Sequence, residues 1–482
     1  MNRIFAALAI LALLGLSLGN GPASASSAAL ADPDPIREIS YYPRDYAWEE
    51  FWPNWDDAKI QMDADLDRIV GLGANTVRIF LHPGVMGYPT PTAGMLANFE
   101  EALALIAAHG LKAHANLFDC SEPYNEIANS QTWLAAVVGP HANDARIALW
   151  ELRNEVNLDD QPTRDWVQAL FPYLKQQAGS TPATVSVANV AWLDDLAALT
   201  GATPPDLYSL HWYPRGNLTW TSTLPATLAA ALVAVPADKL LLGEFGISTY
   251  EYSDASQANL YRDVLYYASQ KGVTNLGVWT LNDFPFNTAR CGGEIPGALE
   301  WRFGLYREDG AEKPAAVVLR DAFLNGETPG PVRSTSLLNP SFEVEDPDSH
   351  EIDNWWGWDQ TWSGVYYAAR DGTHARTGEY AALLDGPDDI VVGLFHAPAI
   401  EVNPRWFYSL EAYAWTEDLH GRALVVLSWY SWDGENEVWL GQTTAETTTP
   451  EAGWTRLFID RAQPPPGAEY VRVFVEMGSM EE

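Results

Sequence analysis

Two glutamates carry the first chemical signal. Glu155 follows Asn154 in "RIALWELRNEVNL" (Arg146–Leu158), where an apolar run breaks into charge. Glu244 closes another apolar run, "KLLLGEF" (Lys239–Phe245). Two carboxylates in unlike surroundings can divide labour. One is held protonated and gives its proton to a leaving oxygen; the other is ionised and attacks, or activates water. Breaking a glycosidic bond needs such a pair. Taken singly, each has a plainer explanation: Glu155 as an acid near the positive end of a helix, Glu244 as half of a loop ion pair. Glu151 is a weaker candidate. It lies inside the apolar run, where a buried carboxylate needs a partner such as an arginine, so it reads as structural.

The two glutamates gain weight from the elements that carry them. Short apolar runs alternate with helix-length amphipathic stretches from about Ile36 to Leu324. The strand candidates are Arg37–Tyr42, Asn75–Leu81, Leu111–Phe118, Arg146–Leu152, Ala183–Asn189, Leu207–Tyr213, Lys239–Phe245 and Asn275–Leu281. Segments such as "DDAKIQMDADLDRIVGLG" and "ANFEEALALIAAHG" repeat apolar residues at helical spacing and end on glycine. Alternation of this kind predicts parallel pairing. Eight units fit a closed (β/α)8 TIM barrel, with the active site at the C-terminal strand ends. An open doubly wound sheet is the alternative, but no glycine-rich phosphate loop follows a strand. The first unit is the least regular, and "YYPRDYAWEEFWPNWDD" reads as a loop at its strand end.

Reading what each strand ends on gives Arg78 and His82, then His114, Asn116 and Asp119, then Asn154 and Glu155. The fifth offers Asn189, the sixth His211 and Tyr213, the seventh Glu244, the eighth Trp279 and Asp283. Glu155 and Glu244 then face each other across one barrel mouth. Trp150, Trp212 and Trp301 are either sugar platforms or core. Asp119 and Asp283 are either sugar contacts or helix caps.

The series "NTVRIFL", "WELRNEVN", "LHWYP", "LLLGEFG" and "GVWTL" resembles glycoside hydrolase family 5 and its clan A relatives, over about residues 36–325. The resemblance implies that Glu155 is the general acid/base and Glu244 the nucleophile of a retaining mechanism, on a β-1,4-glucan or β-mannan. It implies that Asn154 holds the sugar 2-hydroxyl and that Tyr213 and Arg78 keep the nucleophile ionised. His211 would orient the acid/base or touch substrate, and Trp279 would floor the subsite beside the cleaved bond. The family's histidine at the third strand's end has two competitors here, His114 and Asn116. Val156 stands where the family commonly has proline after Asn-Glu. Catalysis needs no cofactor in this reading. A catalytic metal is not expected, because His82, His114 and His211 lack tight ligand spacing. The rival readings are a non-catalytic carbohydrate-binding protein on a barrel scaffold and a barrel metalloenzyme.

Beyond a Pro/Gly-rich linker at 327–336, the segment 337–482 changes to short alternating strands such as "ALVVLSWYSW" and "YVRVFVEM". This predicts a smaller all-β sandwich, jelly-roll-like. "LLNPSFEVE" with "DNWWGW" resembles family 4-type carbohydrate-binding modules. Trp355, Trp356, Trp358 and Trp362 form either a sugar platform or a Trp-rich core edge. By the same resemblance Glu343 would help hold a structural calcium. The chain stops without the closing aspartate-bearing strand of such modules, so that site is expected to be incomplete.

Other features place the protein. Arg3, an apolar run at Ile4–Leu16 and "ASA" at Ala23–Ala25 have the pattern of a cleaved signal peptide over residues 1–25, so the protein is expected to be secreted. The barrel is expected over residues 34–326. With 64 acidic against 28 basic residues the formal net charge is -36, which repels nucleic acid and anionic lipid. A sugar polymer or oligomer remains the expected partner, and a monomer the expected state. An oxidising compartment permits a bridge between Cys120 and Cys291, but the sequence does not decide whether they meet.

Overall fold

The structure, a computed structural model, describes residues 34–214, 220–250, 252, 254–326, 333–334, 337–345, 352–361, 367–387, 390–416, 419, 421–432, 437–449 and 452–478. The expected signal peptide, most of the linker and Trp362 lie outside these residues.

The barrel forms as the alternation predicts. Its strands are β1 (Arg37–Ser40), β2 (Thr76–Phe80), β3 (Lys112–Asn116), β4 (Ile147–Glu151), β5 in two pieces (Ala183–Thr184 and Ser186–Val187), β6 (Tyr208–Trp212), β7 (Leu240–Phe245) and β8 (Asn275–Val278). All neighbours pair in parallel, and β1 joins β8 through Arg37↔Leu276. The broken fifth strand completes the ring: its first piece pairs with β4 and its second with β6. The helices are α1 (Trp55–Gly71), α2 (Ala93–Ala108), α3 (Ile127–Val137), α4 (Gln161–Ala178), α5 (Trp192–Thr200), α6 (Trp220–Ala234), α7 (Asp254–Gln270) and α8 (Pro314–Asn325).

Two irregularities decide what reaches the mouth. Leu210 pairs with Leu242 but His211 pairs with Glu244, so Gly243 is an extra residue on β7. Such a bulge re-aims the side chain that follows, and it sets Glu244 beside His211. A Cβ at Gly243 would overlap Ser209 Oγ, so the bulge has room only for glycine. On β4 the register skips between Ala113↔Ile147 and His114↔Leu149, which brings Glu151 opposite Asn116 inside the barrel.

The aromatic segment after β1 is more than a connector. Tyr41, Tyr42, Trp48, Phe51, Trp52 and Trp55 are all buried. Trp52 donates its indole N–H to the Phe80 carbonyl at 2.8 Å, and Tyr42 stacks on Phe80 with ring centres 4.9 Å apart. The first barrel unit is therefore anchored by aromatic packing on the end of β2.

The C-terminal part is a β-sandwich, as predicted. One sheet contains Trp355–Asp359, Val392–His396, Ala399–Glu401, Arg422–Trp432, Glu437–Thr447 and Tyr470–Gly478. Opposite lies the pair Tyr408–Thr416 and Gly453–Ala462. Leu394, Val425, Leu427, Trp429, Leu457, Ile459, Val471 and Val473 form the core of the sandwich. The aromatic group near its start is core edge rather than platform. Trp355 and Trp356 are buried, and Trp355 donates to the Asn339 carbonyl at 3.0 Å. Trp358 is half-buried and edge-on to Phe474. Trp356 reaches the barrel: its indole N–H donates to Ser256 Oγ on α7 at 2.5 Å, and its ring packs edge-on to Tyr252. Barrel and sandwich thus share one continuous apolar cluster that includes Trp356 and Phe395.

Glu343, the residue that the resemblance links to calcium, makes backbone contacts. Its carboxylate oxygens accept backbone N–H groups of Glu379 at 3.1 Å and Tyr380 at 3.4 Å, and no three-residue ligand cluster surrounds it among the described residues. Cys120 and Cys291, undecided from sequence, form a disulfide. It ties the loop after β3 to the loop after β8.

Candidate active site

The strand ends converge on one cavity of about 390 Å³, lined among others by Asp119, Asn154, Glu155, Tyr213, Glu244, Trp279 and Glu300. Glu244 at the end of β7 is 5% exposed and held from two sides. Tyr213 donates its phenol O–H to Oε2 at 2.6 Å, and Arg78 donates Nη1–H to Oε1. Burial first, and the Glu244 charge second, push the Tyr213 phenol well above its ordinary range. It therefore keeps its proton and acts as a donor.

Glu155 lies just past β4 in a left-handed backbone conformation with φ 49°. That conformation costs a non-glycine residue about 1–2 kcal/mol. The backbone is fixed there by the Glu155 N–H, which donates to Ser186 Oγ at 2.8 Å. The kink takes Glu155 off the alternation of its strand and turns its carboxylate into the cavity. His211 Nδ1 lies 3.0 Å from Glu155 Oε1 and 3.4 Å from Glu244 Oε2. Burial pushes the Glu155 carboxyl up, but the hydrogen bond and charge of His211 outweigh burial and leave it below the usual carboxylate range. A carboxylate oxygen of Glu155 lies within 4.8 Å of one of Glu244.

Below the cavity runs a buried ionic network. Arg78 is fully buried. Its Nε–H donates to Glu151 at 2.7 Å and its Nη2–H to Asn154 Oδ1 at 2.9 Å. Glu151 is thus the structural carboxylate expected from sequence, and Arg78 is its partner. The Arg78 bond also orients the Asn154 amide, which lines the cavity. His114 Nδ1 lies 2.7 Å from Glu38 Oε2 and its Nε2 3.3 Å from Glu151. Burial disfavours the His114 imidazolium, but Glu38 and Glu151 override it and raise the group to about 8.

Of the residues singled out from sequence, Asn154, Glu155, Tyr213, Glu244 and Trp279 line the cavity. Arg78 and His211 stand behind them: Arg78 is bonded to Glu244, and His211 faces both Glu155 and Glu244. His114 and Asn116 are instead fully buried inside the barrel and do not line it. Their strand positions pointed to the mouth, but their side chains face the interior, where His114 neutralises Glu38 and Glu151. Asp283 is a buried partner of Lys313 at 2.8 Å, and Trp150 and Trp301 are core. Asp119 lines the cavity and accepts from the Tyr42 hydroxyl at 2.9 Å. The same hydroxyl lies 2.9 Å from His82 Nε2.

Sequence reasoning missed Trp48, Tyr252, Arg290, Glu300 and Phe303, which also line the cavity. They sit on loops, where no periodicity marks them. Glu155, His211 and Glu244 are close enough together to suit a cation, as are His82, Asp119 and Cys120. In the first group the Arg78 guanidinium already lies against Glu244; in the second Cys120 is bound in the disulfide.

No family model and no curated protein matches the chain. Solved structures do. An exo-beta-1,4-mannosidase from Opitutaceae bacterium strain TAV5 aligns at 20% identity and TM-score 0.51, over 61% of this chain and 60% of that one. A GH5_18 protein from Streptomyces cattleya in complex with GlcNAc aligns at 16% identity and TM-score 0.52, over 63% and 83%. A GH5_18 protein from Bifidobacterium longum subsp. longum aligns at 18% identity and TM-score 0.50, over 62% and 82%. The chain shares their fold. It spans about three fifths of the Opitutaceae protein's length.

Proposed function

We propose that the protein is a secreted retaining β-glycoside hydrolase, with Glu244 as nucleophile and Glu155 as acid/base. One observation carries this reading: the two carboxylates share a cavity, with oxygens within 4.8 Å of each other. Retaining glycosidases hold their carboxyl groups about 5–5.5 Å apart, whereas inverting ones need about 6.5–9.5 Å to admit a water. The surroundings of the pair suit two roles. Glu244 is gripped by two donors, a guanidinium and a phenol. Glu155 is bonded by His211 and is the more exposed of the two.

In the first step Glu244 attacks the anomeric carbon while Glu155 passes a proton to the departing oxygen. In the second, Glu155 takes a proton from water, and that water displaces Glu244 from the sugar. Glu155 must carry a proton to begin. A bound sugar excludes water and strengthens the burial effect that already opposes its ionisation. The Asn154 amide, held through its Oδ1 by Arg78, is placed to donate its NH2 to the hydroxyl beside the reacting carbon, and Trp279 offers an apolar face.

The substrate class is a β-linked neutral sugar. The solved relatives make a β-mannoside the first to test, with β-glucosides next. The Cys120–Cys291 bridge suits an exported protein. Glu155→Gln should lower hydrolysis of an unactivated β-glycoside roughly 100- to 10,000-fold. Glu244→Gln should abolish turnover even of 4-nitrophenyl glycosides. Near-normal turnover of the aryl glycoside by Glu244→Gln would refute the assignment.

A further inference from the structure

A third carboxylate faces the same cavity, and the double-displacement chemistry does not use it. Glu300 sits on the turn Ala298–Arg302, in the loop that follows β8. Its side chain is 19% exposed, and its nearest cation, Arg290 Nη1, is 3.7 Å away, beyond hydrogen-bond range. Trp279 lines the same cavity. Burial, joined by the charges of Glu244 and Glu155, raises it to about 7 against the pull of Arg290.

A carboxyl group in this position accepts hydrogen bonds from hydroxyls or, when protonated, donates one. We propose that Glu300 is a specificity residue that binds the hydroxyl groups of the sugar resting on Trp279, selecting a neutral sugar over a uronic acid. The inference rests on the hydrolase reading and adds the residue that selects its neutral sugar. Three carboxylates, Glu155, Glu244 and Glu300, surround the position of that sugar. A fourth on the substrate would meet repulsion from those that are ionised, the attacking Glu244 first. A neutral polyol, by contrast, supplies hydroxyl donors to Glu300. The disulfide between Cys120 and Cys291 pins the loop that carries Arg290 and, further along, Glu300. Glu300 is thus presented from a tethered loop.

The test compares the wild-type protein with Glu300→Gln and Glu300→Ala, using 4-nitrophenyl β-D-mannopyranoside, the β-D-glucopyranoside and the β-D-glucuronide. Melting temperatures check that the variants fold. Glu300→Ala should raise KM for the better neutral glycoside about tenfold or more, the scale of losing hydrogen bonds to a charged group. The effect on kcat should be smaller, because the attacking and proton-donating groups are untouched. Glu300→Gln should fall between the two and improve the uronide relative to the neutral sugar. Substrates lacking one hydroxyl should show which group is held: the wild type loses affinity for one of them, and Glu300→Ala loses no more. A KM within twofold of wild type in both variants would overturn the inference while leaving the hydrolase reading intact. So would a wild-type preference for the uronide. A protein that turns over none of these glycosides, but whose Glu155 and Glu244 variants bind sugar like the wild type, would overturn both.

Discussion

At the scale of single residues, the site works through opposed partners. Arg78 contacts both Glu151 and Glu244, so one buried guanidinium serves a structural carboxylate and the proposed nucleophile. His211 faces both members of the proposed pair, and its bond to Glu155 holds that carboxyl low. This gives a signed pH effect. Removing His211 takes away the group that favours the Glu155 anion, so the proton on Glu155 persists to higher pH. His211→Asn should therefore move the alkaline limb of kcat/KM upward for substrates with poor leaving groups. Activated aryl glycosides, which do not need the proton, should shift less. A pH profile whose limb stays in place or moves down would show that His211 does not set the acid.

At the scale of elements, the barrel could be read from the sequence, but its irregularities could not. All eight strand positions followed from apolar runs, each observed strand falling within its predicted range. What periodicity cannot reveal is where a strand bulges or bends. The extra Gly243 on β7 and the left-handed turn at Glu155 place the two carboxylates, and both break the two-residue repeat. The choice between His114 and Asn116, open in the sequence, turns on side-chain direction: both are buried, and His114 faces Glu38 and Glu151 across the interior. The glycines at these positions are packing requirements. A Cβ at Gly277 on β8 would overlap the Gly243 carbonyl and lie 2.5 Å from Glu38 Oε1. Gly277→Ala should cost about 1–3 kcal/mol of stability, as overpacked cores do. Chemical denaturation would detect this as a lower midpoint, and an unchanged midpoint would show that β7 and β8 can separate freely.

At the scale of the whole molecule, the sandwich is part of the barrel's support. The sequence suggested a separate module whose tryptophans form either a sugar platform or a core edge. The structure instead turns Trp356 into the barrel, onto Ser256 and Tyr252, and Tyr252 lines the cavity. The tryptophans could not be sorted into platform and core from sequence, because burial of this kind depends on a partner surface about a hundred residues earlier. A shared core implies shared stability. Thermal unfolding should give one transition, and Trp356→Ala should lower it by about 3 kcal/mol or more while raising KM. Two separate transitions in the wild-type protein would mean that the halves fold independently.

The central claim is that Glu244 forms a covalent bond to the sugar. The direct measurement is to incubate the protein with a 2-deoxy-2-fluoro β-mannosyl or β-glucosyl fluoride and to follow intact mass and then peptide mass. The account requires the mass of one fluorosugar per chain, attached to the peptide containing Glu244 and absent in Glu244→Gln. An adduct on another residue would contradict it, and so would turnover that releases sugar of inverted anomeric configuration.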